Sequence, residues 1–269
     1  MPNESKNTAV PNNLTWITGA SSGIGLSLTL ALANQGHKII ASARDESLLI
    51  DLSKSNPNIV PLPCDITDKV SVLSAASYIR KNFLKLDRII LNAGTCEYLD
   101  FPDPQWDAIR RVMEVNYFGT INCLESALPL LRASDSQPHV VVVASQVTFA
   151  PFPRAEAYGA SKAALQYFFS SLQVDMAKEN IDVTIVNPGF VDTPLTRLND
   201  FKMPFLLDAE IAAMRIVEGL KKRPREITFP RRLKWLLKLS KVMPVTWGKL
   251  ISKNASDKNS LPTKKGFNK

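Results

Sequence analysis

Between residues 14 and 186, short runs of aliphatic and β-branched residues recur at 14–18, 38–43, 59–62, 88–91, 140–144 and 183–186, without strong polar alternation. Strands of that kind are buried on both faces, as in a parallel sheet. Segments of helix length separate them, at 24–34, 46–54, 69–83, 105–131 and 157–179. The alternation predicts an α/β fold, a doubly wound parallel sheet of Rossmann type, with ligands bound beyond the carboxyl ends of the strands. No internal repeat or low-complexity linker divides the pattern, so one domain is expected over 13–230, after a polar segment 1–12. A basic amphipathic extension is expected over 231–253, and a polar, mobile tail over 254–269.

Charge sharpens that division. The chain carries 33 Lys and Arg against 25 Asp and Glu, a net charge of +8. From Gly219 onward there are 15 basic residues against Glu226 and Asp257, so the preceding 18 against 23 make a mildly acidic body with a basic end. No apolar run approaches the roughly 20 residues of a membrane span. With no secretion signal and three cysteines that form no C-x-x-C pair, residence in the cytoplasm is expected. Two histidines leave little material for a metal site or a histidine-activated nucleophile.

The first strand runs into Thr18-Gly19-Ala20-Ser21-Ser22-Gly23-Ile24-Gly25, which opens the first helix. Glycines permit a tight turn and close approach of a ligand, and the N–H groups and dipole of a helix start attract a pyrophosphate. The spacing G-x-x-x-G-x-G is a variant of the dinucleotide fingerprint, although a plain glycine-rich turn would read the same in isolation. The second strand ends at Arg44, where an NAD site would place an acid and an NADP site a cation for the 2′-phosphate. That favours NADPH over NADH. Asp45 reads instead as the cap of the next helix.

Tyr158 and Lys162 stand four residues apart, one helical turn, thirteen residues after Ser145. A phenol of pKa about 10 is a poor proton-transfer group near neutrality, and a neighbouring ammonium stabilises its phenolate. The spacing therefore predicts a tyrosine acidified by lysine, although Tyr-x-x-x-Lys also occurs on ordinary amphipathic helices.

Taken in order, these motifs resemble the short-chain dehydrogenase/reductase family over about 14–226: the glycine turn, Asp65, Asn92-Ala93-Gly94, Asn116, Ser145, Tyr158 with Lys162, and Asn187-Pro188-Gly189. The resemblance implies a catalytic tetrad of Asn116, Ser145, Tyr158 and Lys162, with Asn116 supporting a proton-supplying water chain. It implies a cofactor site built from Gly19, Ser21, Ser22, Gly23, Ile24, Gly25, Arg44, Asp65, Ile66, Asn92, Ala93, Gly94, Tyr158, Lys162, Pro188, Gly189, Val191 and Thr193. Leu91, Ala144 and Thr148 depart from the family pattern, and Thr148 adds bulk near the expected substrate.

The family also implies a mobile lid after Thr193-Pro194. Here it carries Leu195, Phe201, Met203, Phe205, Leu206 and Leu207, which with Phe149, Phe152 and Tyr98 suggest a lipophilic carbonyl or alcohol, and equally fit core or subunit contacts. In 231–243, Lys234, Lys238 and Lys241 take one helical side, and Leu233, Leu236, Leu237 and Met243 lie largely opposite. That helix fits packing on the body or a second subunit, and also peripheral contact with an anionic membrane. The expected function is NADPH-dependent reduction of a ketone or aldehyde, or the reverse, in a homodimer or homotetramer. The alternative is a catalytically silent NADPH-binding sensor or interaction protein. A nucleic-acid binder lacks a recognisable module, and Ser145 lacks the elbow of a serine hydrolase.

Overall fold

The computed structural model describes residues 13–199, 201–242 and 246–248. The segments expected at 1–12 and 254–269 lie outside the described residues, as does Met243.

Seven parallel strands form one sheet in the order β3-β2-β1-β4-β5-β6-β9. They are β1 (Leu14–Thr18), β2 (Lys38–Ser42), β3 (Ile59–Pro61), β4 (Arg88–Leu91), β5 (His139–Val143), β6 (Asp182–Pro188) and β9 (Glu226–Phe229). The helices are α1 (Gly23–Asn34), α2 (Glu46–Ser55), α3 (Lys69–Phe83), α4 (Asp107–Met113), α5 (Gly119–Arg132), α6 (Glu156–Met176), α7 (Ala209–Leu220) and α8 (Arg231–Val242). A two-stranded ribbon, β7 (Val191–Asp192) with β8 (Leu207–Asp208), closes the base of the expected lid.

The unbroken apolar runs have a direct structural cause. Trp16, Ile40, Ile89, Val140 and Val142 enter one core cluster, while their neighbours Ile17, Ile39, Ile90, Val141 and Val143 enter another. Successive strand residues point to opposite faces, so a sheet covered by helices on both sides needs apolar residues at consecutive positions. The chain leaves β1 toward β2 and β3 on one side and toward β4 on the other. The resulting crevice at the carboxyl ends of β1 and β4 is where such sheets bind ligands.

The helix expected over 105–131 is divided. A π-helical turn, Glu114–Phe118, joins α4 to α5, with the Gly119 N–H donating to the Glu114 carbonyl. Such one-residue widenings are rare and concentrate at functional sites. In α8 the buried stripe is Leu233, Leu237 and Ser240, whereas Leu236 is exposed, which corrects its expected place on the packed face. Leu233 and Leu237 join Phe149 and Ala150 in a third, smaller core cluster, so α8 is held against the body. Among the described residues no helix is long and apolar enough to cross a membrane.

At the amino-terminal edge of the sheet His139 is fully buried, its Nε2 2.8 Å from the Thr184 hydroxyl. Burial, then the charges of Arg88 and Arg223, holds its pKa well below the ordinary value, and burial and Arg88 lower His37. A base depressed in the fold contributes stability above its unfolded pKa and loses it as pH falls toward the folded one. Stability should therefore decline below about pH 6.5, with a slope of up to about 1.4 kcal/mol per pH unit for each imidazole. His139→Gln should flatten the pH dependence of the urea midpoint between about pH 5 and 7; an unchanged slope would refute this.

Candidate active site

The glycine turn is packed to contact. Gly19 and Gly23 have φ of 66° and 52°, in the left-handed region that glycine enters without strain. A Cβ on Gly25 would lie 2.1 Å from the Gly19 carbonyl oxygen and 2.4 Å from Asn92 Nδ2, so no side chain fits there. Asn92 fastens the turn across the sheet, its Nδ2 donating to the carbonyls of Thr18 (3.1 Å) and Gly19 (3.2 Å). The Thr18 hydroxyl in turn accepts from the N–H groups of Asn92 and Ala93. Ser22 stands at the N-cap of α1 without a side-chain cap bond, leaving the N–H groups of the first turn, at Gly23, Ile24 and Gly25, available to an anion, with Ser21 part-buried beside them. A cradle with no room for Cβ atoms and an uncapped helix start fits a dinucleotide pyrophosphate.

Arg44 emerges exposed just beyond β2, and its charge reaches Asp65. Burial raises the Asp65 pKa, but hydrogen bonds from the Thr67 N–H and hydroxyl and the Arg44 charge outweigh it, leaving the carboxyl below its usual range. Asp45 caps α2 by accepting from the Leu48 N–H, as expected, and is not free to face a ribose. Ile66 is buried in the core against Gly119, and its carbonyl accepts from Asn122 Nδ2. Its side chain is thus committed to packing. Pro188 ends β6, the Gly189 N–H donates to the Phe229 carbonyl, and Val191 is buried in β7. Thr193 closes on the glycine turn, its Cγ2 2.8 Å from where a Gly23 Cβ would stand.

The tetrad expected from the family gathers at the carboxyl ends of β4 and β5. Lys162 is 4% exposed; its Nζ donates to the Val143 carbonyl at 2.8 Å and lies 5.8 Å from the centre of the Tyr158 ring. A Cβ on Gly94 would stand 3.2 Å from Asn116 Oδ1 and 3.5 Å from Lys162 Nζ, so the three positions meet. Asn116 is fully buried in the π-helical turn. Its Oδ1 accepts from the Thr95 N–H (2.7 Å), and its Nδ2 donates to the Thr95 carbonyl and to the Ser161 hydroxyl (2.9 Å each). The Asn116 amide is therefore a clamp on the loop beyond β4. Ser145 follows β5 by two residues; its Oγ accepts from the Val147 N–H at 3.1 Å, and its hydroxyl is in hydrogen-bond contact with Tyr158.

Electrostatics departs from expectation at Tyr158. Burial pushes its phenol up to about 12, against hydrogen bonding by Ser145 that lowers it, while burial brings Lys162 down to about 8. Where the spacing predicts acidification of Tyr158 by Lys162, burial raises the phenol instead, and Lys162 is not among the groups that shift it. Tyr158 keeps its proton near neutrality.

Several participants were not expected from sequence. Thr18 and Ser161 hold Asn92 and Asn116, and Asn199 accepts a short hydrogen bond from the Tyr98 hydroxyl while donating to Met203 Sδ. Tyr98, overlain by Arg154 at 4.8 Å, thus joins the strap after β4 to the expected lid. Phe149, expected to wall the substrate, is buried under α8 instead, and Phe152 stacks edge-on with Phe190 and Trp247.

A parallel sheet with a glycine cradle at its switch point is the architecture of a dinucleotide-binding fold. The short chain dehydrogenase family model matches residues 13–202, and the chain belongs to that family. An uncharacterised oxidoreductase of Myxococcus xanthus is 31% identical over 232 residues, covering 85% of this chain and 91% of its own. A short chain dehydrogenase of Burkholderia cenocepacia in complex with NADP superposes with a TM-score of 0.77 at 25% identity, over 89% of this chain and 97% of that one. A Burkholderia phymatum member in complex with NAD shares the fold, with a TM-score of 0.77 at 20% identity over 85% and 92% of the two chains.

Gly25→Ala should lower dinucleotide affinity at least about tenfold in a calorimetric titration, because overpacking of about 1–3 kcal/mol must be relieved by opening the cradle. Affinity equal to the parent's would show that the cradle is not where the cofactor sits.

Proposed function

We propose that the protein is an NADPH-dependent reductase of a lipophilic ketone or aldehyde, able to run in reverse as an alcohol dehydrogenase. The observation that carries the reading is the meeting of Ser145, Tyr158 and Lys162 beside the glycine cradle. NADPH, when bound, supplies the hydride to the carbonyl carbon. The glycine turn and the first turn of α1 would hold its pyrophosphate, with Arg44 at the 2′-phosphate. The Ser145 hydroxyl donates to the carbonyl oxygen, and Tyr158 delivers its proton as negative charge grows there. A phenol at about 12 is fully protonated at neutral pH and remains a far stronger acid than an alkoxide's conjugate alcohol, so it suits reduction. Lys162, with a pKa of about 8, carries its proton at pH 7 and has donors left for a ribose hydroxyl.

Phe201, Phe205 and Leu206 present exposed apolar surface on the lid segment, which supports an apolar substrate. Exposed Tyr167 and Val174 on α6 and Phe118 beside α5 support assembly as a homodimer or homotetramer through these long helices. We assign 13–230 as the catalytic domain, working in the cytoplasm.

An NADPH-consumption screen over ketones graded by chain length tests this. Turnover should rise with apolar length, and activity confined to small polar ketones would remove the lipophilic assignment. Tyr158→Phe should lower kcat about 10²–10⁴-fold with NADPH binding retained. Alcohol oxidation, which needs the phenolate, should climb with pH throughout the range in which the fold persists. Arg44→Ala should erode the preference for NADPH over NADH.

A further inference from the structure

The catalytic reading leaves the outer side of α8 unused. Its inner side, Leu233, Leu237 and Ser240, is satisfied by the body. The outer side is nevertheless apolar at its centre, with Trp235 70%, Leu239 57% and Leu236 46% exposed. Positions 231, 235 and 239 form one i, i+4 row and 232 and 236 the adjacent row, so Arg231 and Arg232 border the apolar residues, with Lys238 on the other flank. Lys234 is paired with Glu226 at 3.1 Å, whereas Arg231, Arg232 and Lys238 have no acidic partner among the described residues. No acidic residue occurs in α8, and its surroundings in sequence are strongly basic on balance: 219–269 holds 15 Lys and Arg against Glu226 and Asp257.

We propose that this outer face is a docking surface for an anionic lipid bilayer. An indole and two leucines bordered by cations that have no acidic partner among the described residues match the interfacial zone of such a membrane, where apolar groups reach the acyl boundary and basic groups meet phosphate. A partner of neutral or basic chemistry would leave three cations uncompensated. The orientation also suits the site. α8 begins directly after β9, at the sheet edge from which the catalytic groups emerge. A line of edge-on rings, Trp247 to Phe152 to Phe190 to Phe201, then connects the extension with the lid. Docking does not depend on which carbonyl is reduced.

Co-sedimentation of the full chain with vesicles tests the proposal. Vesicles containing phosphatidylglycerol should bind at least about tenfold better than pure phosphatidylcholine, with the difference shrinking at high salt. Arg231→Gln with Arg232→Gln and Lys238→Gln should weaken binding about a hundredfold, and Trp235→Ala with Leu239→Ala more than about tenfold. Both variants alter exposed positions, so thermal unfolding and NADPH oxidation without vesicles should match the parent, which separates failed docking from a failed fold or site. Equal affinity for the two vesicle types, or no binding, would overturn the proposal. Undiminished binding by the face variants would move the contact to the basic segment after 248 and equally overturn it. A sedimentation coefficient that falls on Trp235→Ala, without vesicle binding by the parent, would show the face to be covered by a second copy.

Discussion

A buried ammonium holds the site together. Lys162 brings a positive charge almost wholly out of water, and a buried cation is costly unless hydrogen bonds compensate it. The compensation is the Val143 carbonyl, freed because β5 ends there, together with the face of the Tyr158 ring. That bond ties α6 to the carboxyl end of β5 and so helps fix where Tyr158, one turn earlier, stands. A Cβ on Gly94 would meet both this ammonium and Asn116 Oδ1, so the loop after β4 passes between the two.

The cofactor half of the crevice relies on a different kind of force. Contact between Gly19, Gly25 and Asn92 is steric first and hydrogen-bonded second: the missing side chains allow β1, α1 and the end of β4 to approach, and the asparagine amide then ties them. Neither half needs the other's chemistry, but both converge on the switch point of the sheet. The electrostatic outcome is a proton-loaded phenol and a lysine whose ammonium is weakened, both produced by the same desolvation.

Much of this was legible in the residues. The strand runs could be read because a sheet covered on both faces demands consecutive apolar positions, and the glycine turn because its ligand-facing backbone tolerates few alternatives. Asp45 was correctly read as a cap from its position before an apolar helix. What escaped was long-range. Nothing near Tyr158 in sequence reveals that its surroundings are dry enough to raise, not lower, its pKa. The Asn199–Tyr98 tie spans a loop and a lid about a hundred residues apart. The π-helical turn lets Ala108, Val112, Asn116 and Thr120, four residues apart, all be buried. A regular helix would drift by about 40° at each four-residue step, and one wider turn absorbs the accumulated error.

The third core cluster gives the carboxyl-terminal extension a meaning beyond its charge. Phe149 and Ala150 on the catalytic side of the sheet have Leu233 and Leu237 as their roof, with Phe152, Phe190 and Trp247 around the rim. A chain cut back to the sheet would thus present a raw aromatic seam. The extension is part of the masonry beside the candidate site, and trimming this protein to a minimal parallel sheet would leave it adhesive there.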